Sequence, residues 1–237
     1  MVVPIPLRLV VLVTSLSTLG PLQNVNSYTL ITQQTIYHAV RSWIKDPDSA
    51  IKTYGHIKTW DTSHVTSLSN LFRSQKTFND DISTWDVSSV TSLTGTFAEA
   101  TAFNVDVSRW NVSSVTDMSY TFFGASRFGP SSIAGGVSSW NVSRVTSMKG
   151  MFGDARVFDA EVGAWDVSRV VSMEGMFWNA SAFSRDLSSW DVSKVTSMFA
   201  MFNEAHKFSS DLSKWDTSQL LNSGAMFWNA KQFAGNV

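Results

Sequence analysis

The residues with reactive side chains recur at fixed intervals, and that recurrence separates structural positions from candidate chemistry. His38, His56, His64 and His206 are scattered, and none stands in a His-Glu-x-x-His pattern or beside a glycine-framed serine. Neither metal-assisted hydrolysis nor a nucleophilic triad is therefore signalled. Ser63, Ser88, Ser113, Ser143, Ser168, Ser193 and Ser218 occupy one position in every unit of a repeat. A nucleophile is needed once, so these read as turn serines. No phosphate-cradling glycine motif is present. The expectation is a protein that is not an enzyme, with no cofactor and no metal.

Acidic residues form two further columns. Asp81, Asp106, Asp186 and Asp211 precede a tryptophan by four positions, and Asp61, Asp86, Asp166, Asp191 and Asp216 follow one directly. Stacked carboxylates can ligate calcium. Asn111 and Asn141 replace Asp in the second column, as expected where a side chain closes an Asx turn, which is the simpler reading. Binding is best sought at the variable positions. Arg144, Arg169 and Lys194 fall in consecutive units and would form a cationic stripe suited to an anionic glycan. Phe123, Trp178 and Trp228 share a position outside the apolar phase, where exposed rings can stack on sugars or on a partner protein. Solvated charges and packing between units are the plainer account of both sets. Asn111, Asn141 and Asn179 begin N-x-Ser glycosylation sequons, and Asn179 is the preferred acceptor because the other two stand in the turn column.

The elements that position these residues follow from the repeat. Trp60, Trp85, Trp110, Trp140, Trp165, Trp190 and Trp215 are spaced by 25 residues, with one interval of 30. Two phenylalanines recur in each unit, twelve and eighteen positions after the tryptophan, as Phe177 and Phe183 do after Trp165. A period in this range marks a solenoid or an array, and 25 residues are too few for a propeller blade. The chain has 237 residues, 43% hydrophobic, enough for a sizeable core. Its 18 basic residues nearly cancel its 19 acidic ones, so no field favours nucleic acid. Absence of cysteine excludes a disulfide framework and thiol chemistry.

Apolar residues such as Val145, Met148, Phe152 and Ala155 step by three and four, which predicts a short helix from about eight to fifteen positions after each tryptophan. Ser147 and its equivalents would cap it. The run from Leu187 to Trp190 reads as a short strand. The expected fold is thus an α/β repeat solenoid, a stack of strand-plus-helix coils with an N-terminal helical cap. Residues 1–27 read as a signal peptide or a disordered segment, 28–59 as the cap, with a helix near 31–45 presenting Ile36, Ala39, Val40, Trp43 and Ile44, and 60–237 as seven coils, the last incomplete. The five extra residues between Trp110 and Trp140 fall around 129–136 and read as a tolerated loop.

The pattern W-D-V-S-x-V-T-S-M-x-x-M-F-x-x-A-x-x-F-x-x-D-L-S-x-W, seen from Trp165 to Trp190, resembles the BspA-like leucine-rich-repeat surface proteins. Trp, Met and Phe stand here for much of that family's leucine. The resemblance implies an elongated leucine-rich-repeat-like solenoid on a secreted or cell-surface protein, with adhesion or ligand binding as its role and no catalytic residues. Arg8 followed by Leu9 to Val13 resembles a weak signal peptide and is too short to span a bilayer. The functional expectation is a non-enzymatic extracellular or cell-surface scaffold that binds an unknown protein or glycan. The alternative is an intracellular, cytoplasmic protein–protein interaction solenoid.

Overall fold

The computed structural model describes residues 28–129 and 136–234. The signal-peptide reading of residues 1–27 and most of the inserted loop lie outside the described residues.

Helix α1 spans Ile36–Lys45 and buries Ile36, Ala39, Val40 and Trp43, the stripe expected of an amphipathic helix laid on a core. Ile44 is exposed. Asp46 is extended and ends α1, and its side chain then accepts hydrogen bonds from the Ser49 backbone N–H at 3.2 Å and hydroxyl at 2.6 Å. With Pro47 at the first position, this starts helix α2, Pro47–Tyr54. The pair covers one end of the repeat stack. Trp43 meets Trp60 edge-on with centroids 6.2 Å apart, and its indole N–H donates to Asp80 at 2.7 Å. Gln33 Oε1 accepts from the backbone N–H groups of Thr66 and Ser67 at 2.9 and 2.8 Å. In later coils the residue at the Thr66 position donates instead to the preceding coil, as Thr91 does to Thr66. Gln33 therefore supplies the acceptor that a preceding coil supplies elsewhere in the stack.

The repeats stack as coils, but the strand-plus-helix coil is not what they form. Among the described residues there are no named strands, and α1 and α2 are the two α-helices. The α/β reading is corrected on both counts. Leu187 to Trp190 closes a turn, with the Trp190 N–H on the Leu187 carbonyl at 3.1 Å. The seven expected helix caps are instead a ladder of single-residue parallel bridges, Ser67 to Ser92 to Asp117 to Ser147 to Ser172 to Ser197 to Asn222.

The expected helix is a series of turns for a specific reason. Between Met173 and Ala180, alternate N–H groups stay within the coil on three-residue turns, as Met176 to Met173 and Trp178 to Gly175. The others cross to the next coil: Met173 to Ser197, Gly175 to Phe199, Phe177 to Met201 and Asn179 to Asn203, at 2.7 to 2.9 Å. An α-helix would spend every N–H on its own i−4 carbonyl. Here half the donors bind coil to coil, which requires left-handed residues that reverse the local twist. They occur twice in each coil, at φ 58° and 59° for Asn70 and Ser74, and at 57° and 52° for Gly175 and Asn179. The three- and four-residue apolar spacing survives because this turn series also turns one face inward.

Inside, the columns are continuous. Phe177 and Phe183 stack with centroids 4.0 Å apart, and Phe177 lies 5.7 Å from Phe202 of the next coil. From Trp85 on, the indole N–H of each repeat tryptophan reaches back one coil to a backbone carbonyl, for example Trp190 to Val162 and Trp215 to Leu187, both at 3.0 Å. The buried ring thus leaves no orphan donor.

Candidate functional site

Where the core columns are uniform, the outward columns differ from coil to coil, and in four consecutive coils they line a groove of about 420 Å³. Two outward positions build it, nine to ten and thirteen residues after the tryptophan. Tyr120, Phe123, Trp178 and Phe199 line it, with Tyr120 and Phe123 edge to face at 5.8 Å. Gly150, Gly175 and Ala200 line it as well. Trp178 is 37% exposed and Phe199 47%, large values for aromatic side chains. Phe123 and Trp178 belong to coils two apart, yet their rings stack at 5.9 Å and 11°. The coil between them carries Gly153, where an added Cβ would fall 2.8 Å from the Phe123 ring.

Polar chemistry in the groove is compact. Lys149 Nζ lies 2.5 Å from Glu174 Oε2, and the Ser197 hydroxyl donates to Glu174 Oε1 at 2.8 Å. The ammonium, and next the Ser197 hydroxyl, hold the Glu174 carboxyl below its ordinary range, and the carboxylate raises Lys149. Both are therefore charged at neutral pH and cancel each other. Tyr120 has φ 58°, but left-handed residues occupy that position in every coil, so this belongs to the fold and does not mark a site.

The other candidate residues are placed apart from this groove. Arg144, Arg169 and Lys194 are all exposed, and none lines it. The Asp166 and Asp191 carboxylates lie near Arg169 and Lys194, so the stripe is partly compensated. Trp228 is 62% exposed in the last coil and is not part of the groove. Asn111 and Asn141 each accept from the serine two positions on, through its N–H and its hydroxyl. Asn179 is half-buried, and its Nδ2 donates to Asp154 at 2.6 Å.

Both acidic columns close Asx turns. Asp191 Oδ1 accepts from the Ser193 N–H at 3.0 Å and hydroxyl at 2.6 Å, and Asp186 accepts the Ser188 N–H at 2.9 Å. Among the described residues no group of three or more His, Asp or Glu is placed to hold a metal ion. His38 bonds the Tyr54 hydroxyl, and His56 meets the edge of Trp43 at 4.9 Å.

Of the sequence-derived candidates, only Phe123 and Trp178 meet in the groove. Tyr120, Lys149, Glu174 and Phe199 were not singled out. Their signal was available: nine residues after each tryptophan, Ser69, Thr94 and Ser119 give way to Lys149, Glu174 and Phe199.

These features define a repeat protein built of stacked turn coils, with an aromatic-lined groove on an outward face. The chain belongs to the family described as Mycoplasma protein of unknown function, DUF285, whose model matches residues 45–135 and 129–237. No curated protein and no solved structure matches it. Among the described residues no helix is long and apolar enough to cross a membrane.

Proposed function

We propose that this protein is a non-enzymatic binding scaffold, displayed outside the cell, that holds a protein or glycan ligand in the groove between Tyr120 and Phe199. The observation that carries this reading is the gathering of four aromatic side chains and one ion pair on an outward face, where the position nine residues after the tryptophan holds Lys149, Glu174 and Phe199 in place of the Ser69, Thr94, Ser119 and Gly224 of the other coils. Exposed rings of this size cost solvation free energy unless a ligand covers them. The repeat backbone supplies a rigid support, since each coil is tied to the next by several main-chain hydrogen bonds. Extracellular display rests on the resemblance to BspA-like surface proteins and on the signal-like segment before residue 28. The test is retention of the full chain on an array of glycans and extracellular-matrix proteins, compared with the Trp178→Ala, Phe199→Ala double variant. Wild type is expected to be retained and the folded variant to be lost. A wild type retained nowhere, or a variant retained equally, ends this reading.

A further inference from the structure

We infer that the groove takes an uncharged oligosaccharide of pyranose rings, with sugar faces on the aromatic side chains and hydroxyls on the Lys149–Glu174 pair. This rests on the binding-scaffold reading above and names its ligand class.

Three features narrow the choice. A pyranose ring has apolar C–H faces and a rim of hydroxyls, so it needs flat apolar walls with donors and acceptors within short reach. The groove has both: Tyr120, Phe123, Trp178 and Phe199 line it together with an ammonium and a carboxylate 2.5 Å apart. A hydroxyl both donates and accepts, and neighbouring hydroxyls on a sugar match a fixed acceptor beside a fixed donor.

Charge comes second. Lys149 and Glu174 cancel, so the groove offers no net attraction to a sulfated glycan or to a phosphate backbone. The exposed Arg144, Arg169 and Lys194 lie outside it. An anionic ligand would find its partner charges in the wrong place.

The third feature is the backbone of the groove. The N–H of Gly150 donates to Glu174 at 2.7 Å, that of Gly175 to Phe199 at 2.8 Å, and the Lys149 carbonyl accepts from Tyr120 at 2.7 Å. These N–H groups are spent between coils and cannot join an added strand, which weakens the case for an extended peptide. From the coil of Tyr120 to that of Phe199 there are three steps of about 4.8 Å, or about 14 Å of length, which suits a short oligosaccharide.

The experiment is titration calorimetry of the full chain with cellotetraose, chitotetraose and maltotetraose. A heparin tetrasaccharide and an extended pentapeptide serve as the charged and peptide probes. At least one neutral tetrasaccharide is expected to bind, with little dependence on salt. Trp178→Ala is expected to weaken it about tenfold or more. Glu174→Gln, which keeps the side-chain shape, should weaken it several-fold, whereas Trp228→Ala should leave it unchanged; circular dichroism verifies that each variant is folded. Preference for the heparin fragment with a steep salt dependence, or for the peptide, overturns the ligand class. So does groove-dependent retention of a protein on the array with no neutral sugar bound, an outcome that leaves the scaffold reading standing. Sugar binding that survives both Trp178→Ala and Glu174→Gln overturns the inference and the groove together.

Discussion

Phe123 and Trp178 stack at 5.9 Å although a whole coil separates them in the chain, and that coil carries Gly153, which lies against the Phe123 ring and leaves room for it. Gly153→Ala places a methyl 2.8 Å from the Phe123 ring and 3.2 Å from the Gly175 carbonyl. The expected result is a loss of about 1–3 kcal/mol in denaturant unfolding and a changed near-UV aromatic signal. An alanine variant with unaltered stability and spectrum would show that the rings do not depend on this gap.

Two glycines that line the groove separate backbone strain from crowding. Gly175 has φ 57°, and a Cβ there meets only the Trp178 Cβ at 3.7 Å, an ordinary contact. Gly175→Ala therefore isolates the left-handed cost and should lose about 1 kcal/mol. Gly150 has φ 59°, but its Cβ would lie 2.5 Å from the Tyr120 ring. Gly150→Ala should lose about 2–3 kcal/mol and shift Tyr120. Equal losses at both sites would contradict this division.

Stability in acid should follow the Asx turns. Asp61, Asp86, Asp166 and Asp191 are all held below the ordinary 3.8, first by the hydroxyl of the serine two positions on and then by its backbone N–H. A carboxyl whose folded value is depressed contributes fully above its unfolded value, and that contribution fades as pH falls through the folded one. Urea midpoints should thus be level from neutral pH down to about 4 and decline below it. Asp191→Asn keeps the Oδ1 acceptor, as Asn111 and Asn141 do, and should flatten part of the decline. A decline as steep in the Asn variant would assign the acid sensitivity elsewhere.

The cap can be tested at one atom. Gln33 Oε1 serves two backbone donors of the first coil. Gln33→Ala should cost about 1 kcal/mol, and hydrogen exchange should quicken first at Thr66 and Ser67. Unchanged protection of those two amides would mean that α1 and α2 hold the coil by apolar contact alone.

Much of the interior was legible from the chain. The tryptophan and phenylalanine columns predicted a stacked core, and each of those tryptophans is buried with its indole N–H on a backbone carbonyl. The face of α1 was readable too, except at Ile44, which points to solvent. Secondary structure was misread because Val145, Met148, Phe152 and Ala155 have the same inward spacing in a helix and in a train of three-residue turns. The discriminating residues are those at φ near 55–60°, and several of them are not glycine: Tyr120, Ala200, Glu204 and Ala225. A side chain that takes the left-handed region against its own preference leaves no mark in the sequence.

The groove divides in the same way. Phe123 and Trp178 stood out because they break a column within their own coils. Their union with Tyr120, Lys149, Glu174 and Phe199 depends on which coil lies beside which and on the gap that Gly153 leaves. Periodicity in the sequence determined that the chain coils, how often, and which side chains are buried, since burial follows the repeat of apolar residues. Only the tertiary structure decided the path of each coil and the neighbours on its surface, because alternate N–H groups along its turn series find their partners in the next coil and not in their own.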